Sequence, residues 1–137
     1  MVNTEVRGDG VNIRFNNRDP IYVQVVEYFK EELVAKRLQP GQEIPSRRQL
    51  ARELKINPNT VQRAYKEMEE MQLIYTEANV ASKITEDLAV LRQLRQEWAR
   101  EAVKQFVQQV SLLELDEAEV VQMIQDEWKR EDSDVRG

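Results

Sequence analysis

Positions 57–63 read Asn57-Pro58-Asn59-Thr60-Val61-Gln62-Arg63. Amide, hydroxyl and guanidinium groups crowd there into two turns of a potential helix. If Val61, Ala64, Tyr65 and Met68 face a core, then Asn59, Thr60, Gln62, Arg63 and Lys66 lie on or beside the outer face. These side chains suit base edges: Arg pairs with guanine, and Asn or Gln with adenine. An ordinary surface helix carries more Glu–Lys pairs and fewer Asn, Thr and Gln. Arg47 and Arg48 begin the preceding candidate helix, close to the same end, and Arg47 reads as a phosphate contact. The free N–H groups expected at the start of the Asn57-Pro58 helix also suit a phosphate.

Other chemistries are excluded or poorly supported. The 137 residues include no Cys and no His. Thiol nucleophiles, disulfides, Cys/His zinc or haem sites and His-based triads are therefore absent. Glu69-Glu70 and Asp126-Glu127 are paired carboxylates on charged helix faces, not a general acid and base in a cleft. No Gly-rich phosphate loop appears, and no cofactor or metal is expected.

The charge distribution points the same way. The net charge is −5, yet residues 36–66 hold eight basic side chains against two acidic ones, a net of +6. Residues 67–87 hold one basic against six acidic, a net of −5. A local basic face on an acidic protein suits a polyanion, although a merely solvated face explains the charge alone equally well. Apolar residues make up 41% and charged residues 33%, the balance of a folded, charge-rich domain. No stretch approaches the roughly 18 apolar residues of a membrane span. Residues 1–9 lack the apolar core of a secretory signal, so the expected compartment is the cytoplasm.

The elements that must position these side chains follow from periodicity and caps. Val11-Asn12-Ile13-Arg14-Phe15 alternates and reads as an edge strand or a loose tail. Asp19 as N-cap and Pro20 as first helical residue start a helix to about Arg37, with Ile21, Val25, Tyr28, Phe29 and Leu33 on one face. Glu43-Ile44-Pro45 allows one residue pair of strand. Ser46, with Gln49 three residues on, is a capping box for a short helix carrying Leu50, Ala51 and Leu54. Asn57-Pro58 starts a third helix, ending near Gln72. Residues 73–76 and 80–85 form a hairpin about Glu77-Ala78-Asn79. The order is that of a winged helix-turn-helix, in which the later helix enters the major groove.

The stretch Pro45-Ser46-Arg47-Arg48-Gln49-Leu50-Ala51-Arg52-Glu53-Leu54, followed by Asn57-Pro58-Asn59-Thr60-Val61-Gln62-Arg63-Ala64-Tyr65, resembles the DNA-binding domain of GntR-type bacterial transcription regulators. Asp19-Pro20-Ile21-Tyr22-Val23-Gln24 and Leu38-Gln39-Pro40-Gly41 match it too. The Asn-Pro-Asn-Thr-Val run and the short segment after the hairpin are similar to the YtrA subfamily. The resemblance spans residues 11–128 and implies a dimeric winged-helix regulator, most simply a repressor, acting on a palindromic double-stranded DNA operator. It places the base-reading arginine at Arg48 and polar recognition positions at Asn57, Asn59, Thr60 and Gln62. The expected DNA-binding set is therefore Ser46, Arg47, Arg48, Asn57, Asn59, Thr60, Gln62 and Arg63. Three departures stand out: many relatives carry Arg at Gln62; the wing here, Glu77-Ala78-Asn79-Val80-Ala81, is acidic and lacks Gly; and the helix before the hairpin ends in Met71-Gln72, where relatives often have Gly.

The expected architecture is mostly α: a winged helix-turn-helix over residues 11–86 and a two-helix dimerisation hairpin over 87–130. Leu91, Leu94, Trp98, Ala102, Phe106, Val121, Ile124 and Trp128 form the expected dimerisation stripe. A small-molecule pocket lined by its aromatics is the rival reading of that segment, and the residues name no effector. A winged-helix adaptor that binds protein instead of DNA is the rival for the whole chain; the acidic wing favours it and the Asn/Thr/Gln/Arg face opposes it.

Overall fold

The computed structural model describes residues 4–7, 10–77 and 81–136. The chain divides into two compact units, Met1–Gln96 and Glu97–Gly137.

In the first unit the alternating N-terminal segment is a strand. β1 (Thr4–Arg7) pairs antiparallel with β2 (Asn12–Phe15), and Val11, Ile13 and Phe15 are buried. α1 (Ile21–Val34) follows and buries Val25, Val26, Phe29 and Leu33. Its start differs from the expected cap: Pro20, not Asp19, holds the N-cap position, without a side-chain cap bond. The side chains of Asn16 and Gln24 order this turn instead. Asn16 N–H donates to Gln24 Oε1 at 2.9 Å, Gln24 Nε2 donates to the Asp19 carbonyl at 2.8 Å, and Asn16 Oδ1 accepts from Arg18 N–H at 2.9 Å.

α2 (Arg47–Leu54) and α3 (Pro58–Glu70) begin where the sequence places them. Ser46 Oγ accepts from Gln49 N–H at 3.1 Å, and Asn57 Oδ1 accepts from Asn59 N–H at 2.8 Å. The capping box is only half formed, because the Gln49 amide donates to Glu53 Oε1 at 2.8 Å instead of reaching back. Lys55, at φ 56°, takes the left-handed conformation that ends α2 and makes the tight turn to α3. Gln72, at φ 63°, does the same after α3. Leu50, Leu54, Val61, Tyr65 and Met68 are fully buried, and Phe29 meets Tyr65 edge-to-face at 6.1 Å.

β3 (Ile74–Thr76) and β4 (Ser82–Ile84) form the antiparallel wing hairpin. A single bridge, Glu43 to Lys83, adds the one-pair strand that the sequence allows, with Ile44 N–H donating to the Ser82 carbonyl at 2.9 Å. Of the expected wing tip, Glu77 to Ala81, the acidic Glu77 is exposed just after β3, and residues 78–80 lie outside the described residues.

α4 (Leu88–Val110) starts in the first unit. Leu91 and Leu94, expected in the dimerisation stripe, are buried in the winged-helix core, 6% and 8% exposed. They extend that core past the expected boundary at residue 86. In the second unit the rest of α4 leads through a 3-10 turn (Ser111–Leu113) to α5 (Glu117–Arg136). α5 continues past residue 130, the expected end of the hairpin. No helix among the described residues is long and apolar enough to cross a membrane.

Candidate nucleic-acid interface

Each candidate side chain takes its place from a cap or a core neighbour. Leu50, Ala51 and Leu54 turn one side of α2 inward, and Val61, Ala64, Tyr65 and Met68 do so for α3. The turn between them is fixed by the left-handed Lys55 and the Asn57 cap. Arg48, Asn59, Gln62, Arg63 and Lys66 are consequently exposed, and Thr60 is half-buried. Among the described residues, none of Arg48, Arg52, Lys55, Arg63 and Lys66 forms a salt bridge. Cations left unpaired by the protein retain their full attraction for an external polyanion.

Ser46 and Asn57 use their side-chain oxygens as helix caps. Both are exposed, so their outer atoms face solvent while their acceptors hold the helix starts. The expectation of free N–H groups at the start of α3 requires correction. Pro58 has none, Asn59 N–H is taken by the Asn57 side chain, and Thr60 N–H bonds to the Asn57 carbonyl at 2.9 Å. A phosphate at this end must be held by side chains.

Arg47 also differs from its reading as a phosphate contact. Its Nη2 is salt-bridged to Glu69 Oε1 at the far end of α3. Its guanidinium lies over Tyr65, 5.4 Å from the ring centroid. Its Nε is buried and has no hydrogen-bond partner among the described residues. Sequence reasoning misses this because Glu69 stands 22 residues away and reads only as one of two carboxylates on a charged helix face. The geometry makes Arg47 a tie between α2 and α3. We predict that Arg47→Ala lowers stability by about 1–2 kcal/mol, a fall of several degrees in Tm. The logarithmic salt slope of DNA binding, measured well below Tm, should stay within error of the parent's. A slope lower by about one per protomer would mean that Arg47 neutralises a phosphate.

Tyr65 completes this buried cluster. Its hydroxyl donates to the Pro45 carbonyl at 2.6 Å, tying the middle of α3 to the entry of α2. Burial pushes its pKa far up; the Arg47 charge pulls it partly back, and Glu53 adds to the rise. The folded pKa thus lies above the unfolded value of 10.0. The contribution is fully present below about pH 10 and is lost as pH rises beyond it, because the unfolded state then releases the proton first. Thermal melts from pH 8 to 11 should show an alkaline fall in Tm that is shallower in Tyr65→Phe. An equal fall in both proteins would assign the effect to other groups.

Arg63 lies over the ring of Tyr22, on the first turn of α1, 3.8 Å from the centroid. The sequence places Tyr22 at a helix start but gives no sign of this contact across 41 positions.

The dimerisation candidates fall into distinct places. Leu91 and Leu94 belong to the first unit's core. Trp98 is half-buried and Ala102 exposed. In the second unit Phe106, Val121, Ile124 and Trp128 are exposed, Trp128 by 71%. Phe106, Val110, Met123, Ile124 and Trp128 line an apolar groove of about 670 Å³, to which Glu127, Glu131 and Asp132 add carboxylates. Leu113, Leu115 and Met123 extend the exposed apolar surface. Reading the two helices as separate stripes misses these three, although their apolar types around the turn signal them.

Residues 21–84 match the family described as bacterial regulatory proteins, gntR family. The chain is 35% identical over 111 residues to an uncharacterized HTH-type transcriptional regulator, YhcF, of Bacillus subtilis, covering 81% of this chain and 92% of that protein. It is 40% identical over 68 residues to the HTH-type transcriptional repressor YtrA of the same bacterium, covering 50% of this chain and 52% of the relative. A solved GntR family transcriptional regulator from Listeria monocytogenes is similar with a TM-score of 0.74 at 33% identity, over 82% of this chain and 98% of that one. The chain belongs to the GntR family: it is a transcription regulator with a winged helix-turn-helix DNA-binding domain, and not an enzyme.

Proposed function

We propose that this regulator is a cytoplasmic homodimeric repressor of an inverted-repeat operator, with α2 and α3 of each protomer reading one half-site. The observation that carries the DNA-contacting part is the exposed set Arg48, Asn59, Gln62, Arg63 and Lys66, whose three cations lack carboxylate partners among the described residues. In this reading Arg48, Asn59, Thr60 and Gln62 face base edges, Arg63 and Lys66 face phosphate or base, and Ser46 and Asn57 hold the helix starts beside the backbone. Arg47 supports the site from behind.

The dimer rests on the second unit. An exposed apolar groove of about 670 Å³ on a small helical unit is unfavourable in water, and a second copy covers it with a self-complementary surface. Two-fold symmetry in the protein then demands two-fold symmetry in the operator. Repression is the role named for the relative YtrA, and an operator-bound dimer performs it by occupying a promoter.

Selection from a randomised duplex pool tests the proposal. The recovered motif should be an inverted repeat with half-sites one helical turn apart or a multiple of it. Recovery of no motif, with no retention of duplex at all, would favour a winged-helix adaptor that binds protein.

A further inference from the structure

Two arginines near the helix-turn-helix lie over tyrosine rings, and their surroundings differ. Arg47 over Tyr65 is half-buried and neutralised by Glu69. Arg63 over Tyr22 is exposed and, among the described residues, pairs with no carboxylate. It sits on α3 one turn after Asn59, beside Gln62. A guanidinium over an aromatic face still presents its N–H edges outward. It has also lost much of the rotamer freedom that a long side chain surrenders on binding.

The platform itself is held firmly. Tyr22 packs against the core cluster from the first turn of α1. The turn before it is pinned by Gln24, whose amide accepts from Asn16 N–H and donates to the carbonyls of Asn16, at 3.1 Å, and Asp19, at 2.8 Å. The ring therefore has a fixed position relative to α3, 3.8 Å below a cation that no acidic group among the described residues pairs.

We infer that Tyr22 is a positioning residue for DNA recognition: its ring holds the Arg63 guanidinium ready for a phosphate oxygen or a guanine edge. This rests on the reading of α3 as the DNA-facing helix. It adds a residue on α1, outside the helix-turn-helix, whose contribution passes through Arg63.

A double-mutant cycle tests it, using a duplex that carries the inverted repeat recovered by selection. Tyr22→Ala should weaken binding about two- to five-fold per half-site, the range of an exposed cation–π contact, and so about five- to thirtyfold for a dimer on both half-sites. Tyr22→Phe keeps the ring and should bind like the parent. In an Arg63→Ala background, Tyr22→Ala should cost nothing further. Binding is measured well below the Tm of each variant, with the folded fraction checked by circular dichroism, so that lost packing alone does not register. Multiplicative effects of the two alanine substitutions, or failure of Tyr22→Phe to restore binding, would overturn the role of Tyr22 and leave the DNA reading intact. A parent protein that binds the duplex without salt dependence would overturn both.

Discussion

Trp128→Glu should convert a dimer of about twice 16.2 kDa into a monomer and cut operator affinity by about a hundredfold or more. The two effects share one cause. Trp128 is 71% exposed within its own chain, so its replacement removes little packing from the hairpin. In a two-fold interface the same position counts twice, and Trp is a side chain on which interfaces concentrate their energy. The new carboxylate joins Glu127, Glu131 and Asp132 along the groove, and burial against a second copy would desolvate all four. Once the protomers separate, each half-site is bound alone and the gain from simultaneous engagement disappears. Light scattering at micromolar concentration gives the mass, and a binding titration gives the affinity. A Trp128→Glu protein that remains dimeric and binds normally would place the interface elsewhere than the α4–α5 unit.

Arg48→Ala should weaken binding to the selected operator by one good bidentate base contact in each half-site, about 1–3 kcal/mol per protomer. Random duplex should lose much less, about threefold at most. Arg48 is exposed at the start of α2, while its neighbour Arg47 turns toward Tyr65 and Glu69. Adjacent arginines have opposite surroundings: Arg47 ties the two helices together, and on the proposed reading the exposed Arg48 is left for DNA. The companion change Gln62→Arg should move preference at one base pair toward guanine, since the longer fork offers two donors to its two acceptors. Both variants are compared on a randomised operator library. An unchanged preferred sequence in both would assign specificity to DNA shape.

Local chemistry made much of this legible before any coordinates. Ser46 and Asn57 are caps because a short polar side chain next to a helix start bonds its own backbone, which needs no tertiary information. The apolar side of α3 follows from period alone. Asp19 offered the same local signal as Asn57 and lost, because Gln24 and Asn16 order that turn. Arg47 and Arg63 look alike in sequence, and only the folded chain separates them, through partners 22 and 41 positions away. The apolar stripe from Leu88 to Val110 is continuous in sequence, yet it serves two units: Leu91 and Leu94 close the winged-helix core, and Phe106 and Val110 line the distal groove. Periodicity identifies a buried face without saying what buries it.

On the proposed reading, the face of α2 and α3 binds operator DNA through cations that no carboxylate among the described residues pairs. The most direct measurement is the salt dependence of binding to the selected inverted repeat and to a scrambled duplex of equal length. With about three phosphate contacts per protomer, the dimer should lose about a thousandfold in operator affinity between 50 and 200 mM salt. The scrambled duplex should bind more weakly at every salt concentration. Equal affinity for the two duplexes, or binding that ignores salt, would contradict the account.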